Sequence, residues 1–203
     1  MPTQSVDTSP NTFSNIEYVF LDRDGVINRK VAEGKYVGRW DRFHILPGVE
    51  QAIAALNQSG RVVLVVSNQR GIALGHYTKA DVDAIHVALQ KHLARHGARI
   101  DAFYFCPHDK NECNCRKPKT GLFEQTFRDF PGASATNSIV IGDSLSDIQA
   151  ARNLVAPSIF IDGDPDTQKP GAEDAASLAS AVSGSLLEAV KLLRPGSGPG
   201  LRP

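Results

Sequence analysis

At 203 residues and 41% hydrophobic content, the chain can bury one substantial core, and its length favours a single domain with at most a small insertion. Lys plus Arg and Asp plus Glu both number 22, so the formal net charge is zero, which argues against the basic footprint of a nucleic-acid binder. The first ten residues are polar and unlike a signal peptide, and no apolar stretch approaches the length of a membrane span. A cytoplasmic, monomeric protein with no membrane or nucleic-acid partner is the expectation. Residues 1–15, rich in Ser, Thr, Asn and Pro, read as a disordered lead-in to a folded body over 16–194, and residues 195–203 as a flexible tail. The body opens with a strand at Tyr18-Val19-Phe20-Leu21, a long loop, and a helix near 48–59 started by Pro47 and Gly48. A strand over 62–66 precedes a helix from Lys79 to His96, with Thr78 as its N-cap. A strand near 101–105, a helix near 120–130, a strand over 138–141, a helix over 146–153, a strand over 158–161 and a final helix near 173–193 complete the chain. This alternation implies a mostly parallel sheet with helices on both faces, a three-layer Rossmann-like α/β fold. No link between elements is long enough to hold a large cap domain.

Three of the strands end on polar residues suited to phosphate chemistry. The first runs into Asp22-Arg23-Asp24-Gly25, the second into Ser67-Asn68-Gln69, and the fourth into Gly142-Asp143-Ser144 with Asp147 four residues beyond Asp143. A buried parallel strand does not easily hold carboxylates in its interior, so Asp22 and Asp24 belong at its C-terminal end. Taken alone, Asp-x-Asp-Gly also suits a solvated turn. In an open α/β sheet, however, strand ends converge on one crevice, and three such ends in one chain favour a shared site for Mg²⁺ and phosphate.

All three cysteines fall within ten residues, as Cys106-Pro107-His108 followed by Cys113-Asn114-Cys115. Cys106, His108, Cys113 and Cys115 make the set of three thiolates and one imidazole that closes a structural zinc shell. A disulfide fits poorly, because an odd number of cysteines leaves one unpaired. The cluster leads directly into Arg116-Lys117-Pro118-Lys119, a basic run placed to clamp an anion. Of the other histidines, His86, His92 and His96 share one helix and are expected at or near the surface. Neither Ser67 nor Ser144 lies in a G-x-S-x-G elbow, and there is no G-x-x-x-x-G-K-[ST] loop, which excludes those two chemistries.

These residues resemble a known family. Val19-Phe20-Leu21-Asp22-Arg23-Asp24-Gly25-Val26-Ile27-Asn28 is similar to motif I of the haloacid dehalogenase superfamily of aspartyl phosphatases. Ser67-Asn68-Gln69 resembles motif II, Lys117 motif III, and Gly142-Asp143-x3-Asp147 motif IV, in collinear order across residues 17 to 162. With the Cys-Pro-His and Cys-x-Cys-Arg-Lys-Pro segments, the pattern resembles a narrower branch, the heptose 1,7-bisphosphate 7-phosphatases and histidinol-phosphate phosphatases. The resemblance implies Asp22 as nucleophile, Asp24 as acid and base, and Ser67 and Lys117 as holders of the phosphoryl group. It implies Mg²⁺ on Asp22, the Asp24 carbonyl and Asp143, and Zn²⁺ on the cysteine cluster. Asn28, Tyr36, Asn68, Gln69, Arg70 and Arg116 complete the implied substrate-binding set, and Asp147 would touch either the metal or Lys117.

Where relatives in motif II carry Thr-Asn-Gln-Ser-Gly-Ile-Ala-Arg-Gly, this chain has Ser67-Asn68-Gln69-Arg70-Gly71-Ile72-Ala73-Leu74-Gly75, which keeps the hydroxyl but moves a positive charge. Segment 29–41 holds Arg29, Lys30, Lys35 and Arg39 with acids only at Glu33 and Asp41, a balance that favours a bisphosphorylated sugar over the cationic histidinol phosphate. The remaining alternatives are a polynucleotide 3′-phosphatase, which neutral charge disfavours, a receiver-type signalling domain, which leaves Asp24, Lys117 and the cysteines unexplained, and a non-enzymatic zinc-dependent interaction module.

Overall fold

Strand after strand in this chain is a short apolar run without polar alternation, the pattern of a sheet buried on both faces. The computed structural model describes residues 13, 15–32, 34–164, 167 and 170–193. Its strands are β1 (Tyr18–Leu21), β2 (Val62–Asn68), β3 (Ala102–Cys106), β4 (Ser138–Gly142), β5 (Ser158–Ile161) and β6 (Ala181–Ser183). They form one parallel sheet in the order β3-β2-β1-β4-β5-β6. Helices α1 (Val49–Gln58), α2 (Lys79–Ala94) and α6 (Leu186–Leu192) cover one face, and α3 (Gly121–Asp129), α4 (Leu145–Leu154) and α5 (Ala172–Leu178) the other. Val19 and Leu21 enter the first core with Ile53, Leu56 and Leu89, whereas Phe20 turns the other way. There Phe20 meets Phe123 and Phe127 edge-on, at ring separations of 5.0 and 6.0 Å.

The expected final helix over 173–193 is instead two short helices separated by β6. Ser185 stops helical continuity by capping α6, accepting a hydrogen bond from Glu188 N at 3.2 Å. The preceding residues satisfy their backbone on the sheet, where Asp162 N donates to Ser183 O at 2.9 Å. Thr78 caps α2 as expected, in a reciprocal box with Asp81. Phe13 lies in the stretch read as a disordered lead-in, yet it is buried in the first core cluster. Residues 1–12, 14 and 194–203, which hold most of the expected lead-in and tail, lie outside the described residues, as does Glu33. No helix among the described residues is long and apolar enough to cross a membrane.

The loop from β1 to α1 folds back on the core instead of projecting as a cap. Ile27 N and Asn28 N both return to Arg23 O, at 2.8 and 3.1 Å, and Leu46 N donates to Ile27 O at 2.9 Å. Val26, Ile27, Val37 and Phe43 are buried beneath it. A short 3₁₀ turn at Trp40–Arg42 packs this loop against α2.

Candidate active site and cysteine–histidine loop

β1 and β4 are neighbours, but the helices that follow them leave on opposite faces, which opens a crevice at their C-terminal ends. Asp22 sits at its floor, its N–H bonded to Ile141 O at 2.9 Å and its Oδ1 accepting from Arg23 N at 2.8 Å. Lys117, only 4% exposed, reaches in from the loop after β3. Its Nζ lies 3.0 Å from Asp22 Oδ1 and 2.6 Å from Asp147 Oδ1, and donates to Val66 O at 2.6 Å. Burial works against the ammonium, but Asp147 and Asp22 outweigh it and hold its pKa above the usual range. Asp147 thus pairs with Lys117 through Oδ1, while its Oδ2 caps α4 through Ser144 N and Oγ.

Asn68 sets the register of this lysine, donating from Nδ2 to Lys117 O at 3.1 Å and accepting at Oδ1 from Lys117 N at 3.0 Å. Gln69 Nε2 links Ser67 Oγ at 2.7 Å to Asp24 Oδ2 at 3.0 Å, and its Oε1 accepts from Tyr77 OH at 2.7 Å. The Tyr77 ring lies between two glycines. A β-carbon at Gly71 would come within 2.3 Å of it, and one at Gly38 within 2.8 Å. Asp24 also accepts from Arg23 Nη2 at 2.9 Å and from Asn28 Nδ2 at 2.9 Å. Burial pushes its carboxyl up, but Arg23, Asn28 and Gln69 prevail and lower its pKa. The missed member here is Arg23, 1% exposed, whose only sequence signal was its place between two acids.

Asp143 completes the floor beside Gly25, whose φ is +95° and whose missing β-carbon would lie 2.0 Å from Asp143 Oδ2. Burial, opposed by Lys30 and reinforced by Asp22 and Asp147, raises the Asp143 carboxyl to about 7. Lys30 Nζ pairs with Asp143 Oδ2, a contact that sequence spacing gave no means of seeing. Asp143 Oδ1 is buried and has no hydrogen-bond partner among the described residues. Oxygens of Asp22, Asp143 and Asp147 lie within 4.8 Å of one another. Such crowded carboxylates, one with an orphaned oxygen, fit a hard divalent cation such as Mg²⁺.

Above the floor opens a cleft of about 890 Å³. Asp22, Asp24, Ser67, Asn68, Gln69, Arg70, Tyr36, Arg116 and Lys117 all line it, whereas Asn28, fully buried, does not. Asn28 is thus placed to hold Asp24 rather than to touch a ligand. Arg70 is tied through Nε and Nη2 to the Asp109 carboxylate, joining the loop after β2 to the cysteine loop. Arg116 keeps a buried Nη1 without a partner among the described residues. Tyr36 stacks on His76 at 4.8 Å.

Cys106 ends β3, and the chain then winds back on itself. Cys106 Sγ lies 3.5 Å from Cys113 Sγ and 3.7 Å from His108 Nδ1; Cys115 Sγ lies 3.3 Å from both Cys113 Sγ and His108 Nδ1. A tetrahedron with bonds of about 2.0–2.3 Å has edges of about 3.3–3.8 Å, so the four atoms fit a zinc shell with no position left open. Gly121 N donates to Asn114 O at 3.1 Å, pinning this loop to the start of α3.

His86 departs from expectation. It is 6% exposed and stacks on Phe103 at 4.3 Å. Burial, with the nearby Arg23 charge, drops its pKa to about 4.

A family model described as a haloacid dehalogenase-like hydrolase matches residues 10–154. A D-glycero-alpha-D-manno-heptose-1,7-bisphosphate 7-phosphatase of Mycobacterium bovis is 45% identical over 139 residues, 68% of this chain and 73% of that protein. A D-glycero-beta-D-manno-heptose-1,7-bisphosphate 7-phosphatase of Vibrio cholerae is 36% identical over 177 residues, 83% and 91% of the two chains. The crystal structure of a D,D-heptose 1,7-bisphosphate phosphatase from B. bronchiseptica, complexed with magnesium and phosphate, superposes with a TM-score of 0.76 at 30% identity, covering 88% of this chain and 98% of that one. These likenesses displace the interaction-module reading: the chain belongs to the haloacid dehalogenase-like hydrolases and is a phosphatase.

Proposed function

We propose that the chain is a magnesium-dependent phosphomonoesterase that removes the C7 phosphate of a D-glycero-D-manno-heptose 1,7-bisphosphate. The observation that carries this is the Asp22–Lys117–Asp147 unit, a strand-end carboxylate held against a buried ammonium at the floor of a basic cleft. Asp22 and Asp143, with the Asp24 carbonyl, would hold Mg²⁺, which when bound neutralises phosphoryl charge. An Asp22 oxygen attacks phosphorus, the bond from phosphorus to the C7 oxygen breaks, and Asp24 delivers a proton to the departing alkoxide. Lys117 and the Ser67 hydroxyl hold the phosphoryl oxygens. Asp24, now a carboxylate, takes a proton from water as that water attacks the aspartyl-phosphate, and inorganic phosphate leaves with Asp22 restored. The donors around Asp24 favour its carboxylate and so suit this second half; the first half needs Asp24 to enter the reaction carrying its proton, which it hands to the alkoxide and regains from water in the second half.

Substrate choice rests on the cleft wall. Lys35, Lys110, Arg116 and Lys119 line it, while Asp22 and Asp24 are the only carboxylates lining it among the described residues. That balance suits a second phosphate and offers no partner for the amine of histidinol phosphate. The zinc loop would hold Arg116 and Lys117 in place without taking part in bond changes. A panel of both heptose 1,7-bisphosphate anomers, the 7-monophosphate and histidinol phosphate tests the reading. The bisphosphate should show the highest kcat/KM, and Arg116→Ala should lower that value more than the value for nitrophenyl phosphate. A preference for histidinol phosphate would overturn the sugar assignment.

A further inference from the structure

Outside the cleft, where α1 begins beside the end of α2, Glu50, His92 and His96 converge. Each can offer one ligand atom, and the three atoms lie within 4.8 Å of one another. Glu50 stands in the first turn of α1, His92 in the last turn of α2, and His96 one turn further along the chain. His92 Nε2 lies 2.8 Å from Glu50 Oε1. The two imidazoles sit 4.7 Å apart, and His96 Nδ1 lies 3.0 Å from His92 O, the kind of backbone contact that orients metal-bound histidines. A simple hydrogen bond between helices would explain Glu50 and His92. It does not involve His96, which is exposed yet held over the His92 ring by its own contact with the His92 carbonyl, leaving its second ring nitrogen free to face the pair.

Two histidines four residues apart at a helix end, joined by a carboxylate from a second helix, make a ligand set for borderline divalent ions and a poor one for Mg²⁺. We infer that Glu50, His92 and His96 form a second transition-metal site, of the zinc, nickel or copper class, separate from both the carboxylate crevice and the cysteine loop. Partial exposure, with side chains of Glu50 and His92 at 24% and 30%, leaves remaining coordination positions to water. An ion there bridges α1 and α2 directly under the loop that walls the cleft. Trp40 of that loop lies 6.3 Å from the His92 ring and stacks on Phe43 at 5.2 Å.

Trp40 is the only tryptophan in the chain, so the fluorescence has one source, beside His92. The test is a Ni²⁺ titration of the full-length, zinc-replete protein in excess Mg²⁺, following Trp40 fluorescence and the thermal midpoint, with zinc content measured before and after. The expected result is saturable quenching at one equivalent, with a midpoint that rises with Ni²⁺. In His96→Asn and in Glu50→Gln the apparent Kd should rise by about tenfold or more, and the midpoint should no longer respond. His96 is exposed, so its replacement leaves the fold intact, which circular dichroism checks. Absence of saturable quenching in the parent protein, or wild-type quenching in either variant, overturns the site.

Discussion

The carboxylate crevice and the cysteine loop are both candidate metal sites, and they are built on opposite plans. The crevice gathers hard oxygens past the ends of two adjacent strands, leaves Asp143 Oδ1 without a donor among the described residues and opens to a cleft. The loop gathers soft ligands from one ten-residue stretch into a shell with no opening. The first arrangement is suited to reacting groups that enter and leave, the second to holding chain in place. They meet at one point: Cys115 is two residues from Lys117, whose backbone Asn68 holds from the other side.

The largest effect is expected at Asp22. Asp22→Asn should lower phosphate release by at least about three orders of magnitude while the thermal midpoint stays near that of the parent, because burial and the neighbouring carboxylates already disfavour the Asp22 charge; appreciable turnover by the pure variant rules out the covalent route. Asp147→Asn should come next, because it removes one of the two carboxylates on a buried ammonium. A destabilisation of about 3 kcal/mol by denaturant titration and a clear fall in kcat are expected, since Lys117 loses its restraint. Cys113→Ser tests the other plan. Zinc content should drop and the thermal midpoint should fall by on the order of 10 °C, with activity reduced but the Mg²⁺ concentration dependence unchanged. A changed Mg²⁺ dependence would mean that the two sites are not separate.

The smallest effect belongs to neither site. His86 is held neutral, with a folded pKa of about 4 against 6.5, so the unfolded chain binds the extra proton between those values. Stability is unaffected above about pH 6.5 and falls as pH drops from there toward 4, by up to about 3 kcal/mol. His86→Phe should flatten that slope in denaturant titrations across the window. An unchanged slope would place the titration elsewhere and return acid sensitivity to the carboxylates.

Strand ends were legible in the sequence where charge marks them, because a buried parallel strand excludes it, so Asp22 and Asp143 could only lie past its limits. Uncharged Ser67 and Asn68 instead pair with β3 and carry β2 two residues beyond its expected end at 66. The cysteine cluster was legible because its ligands are neighbours in the chain. What escaped were pairings set by tertiary approach: Lys30 with Asp143, separated by 113 positions, and Arg70 with Asp109, separated by 39. Arg70, expected in the substrate-binding set, lines the cleft and also holds two loops together through Asp109. The break between α5 and α6 was hidden because Ala- and Leu-rich sequence favours helix until an open sheet edge competes for it. His86 was expected at or near the surface; the placement of Phe103 and Phe105 against it decides otherwise.

Tyr77 carries a consequence for how this protein can change. Its ring fills the space that β-carbons at positions 38 and 71 would need, and its hydroxyl holds the amide that braces Asp24. Any side chain at either glycine therefore demands a smaller residue at 77, and a smaller residue at 77 loosens the brace. Positions 38, 71 and 77 are thus coupled, so drift in substrate range is channelled into the exposed positions of segment 29–42, such as Arg29, Lys35 and Arg39, and away from Lys30, which pairs with Asp143, and the buried Val37.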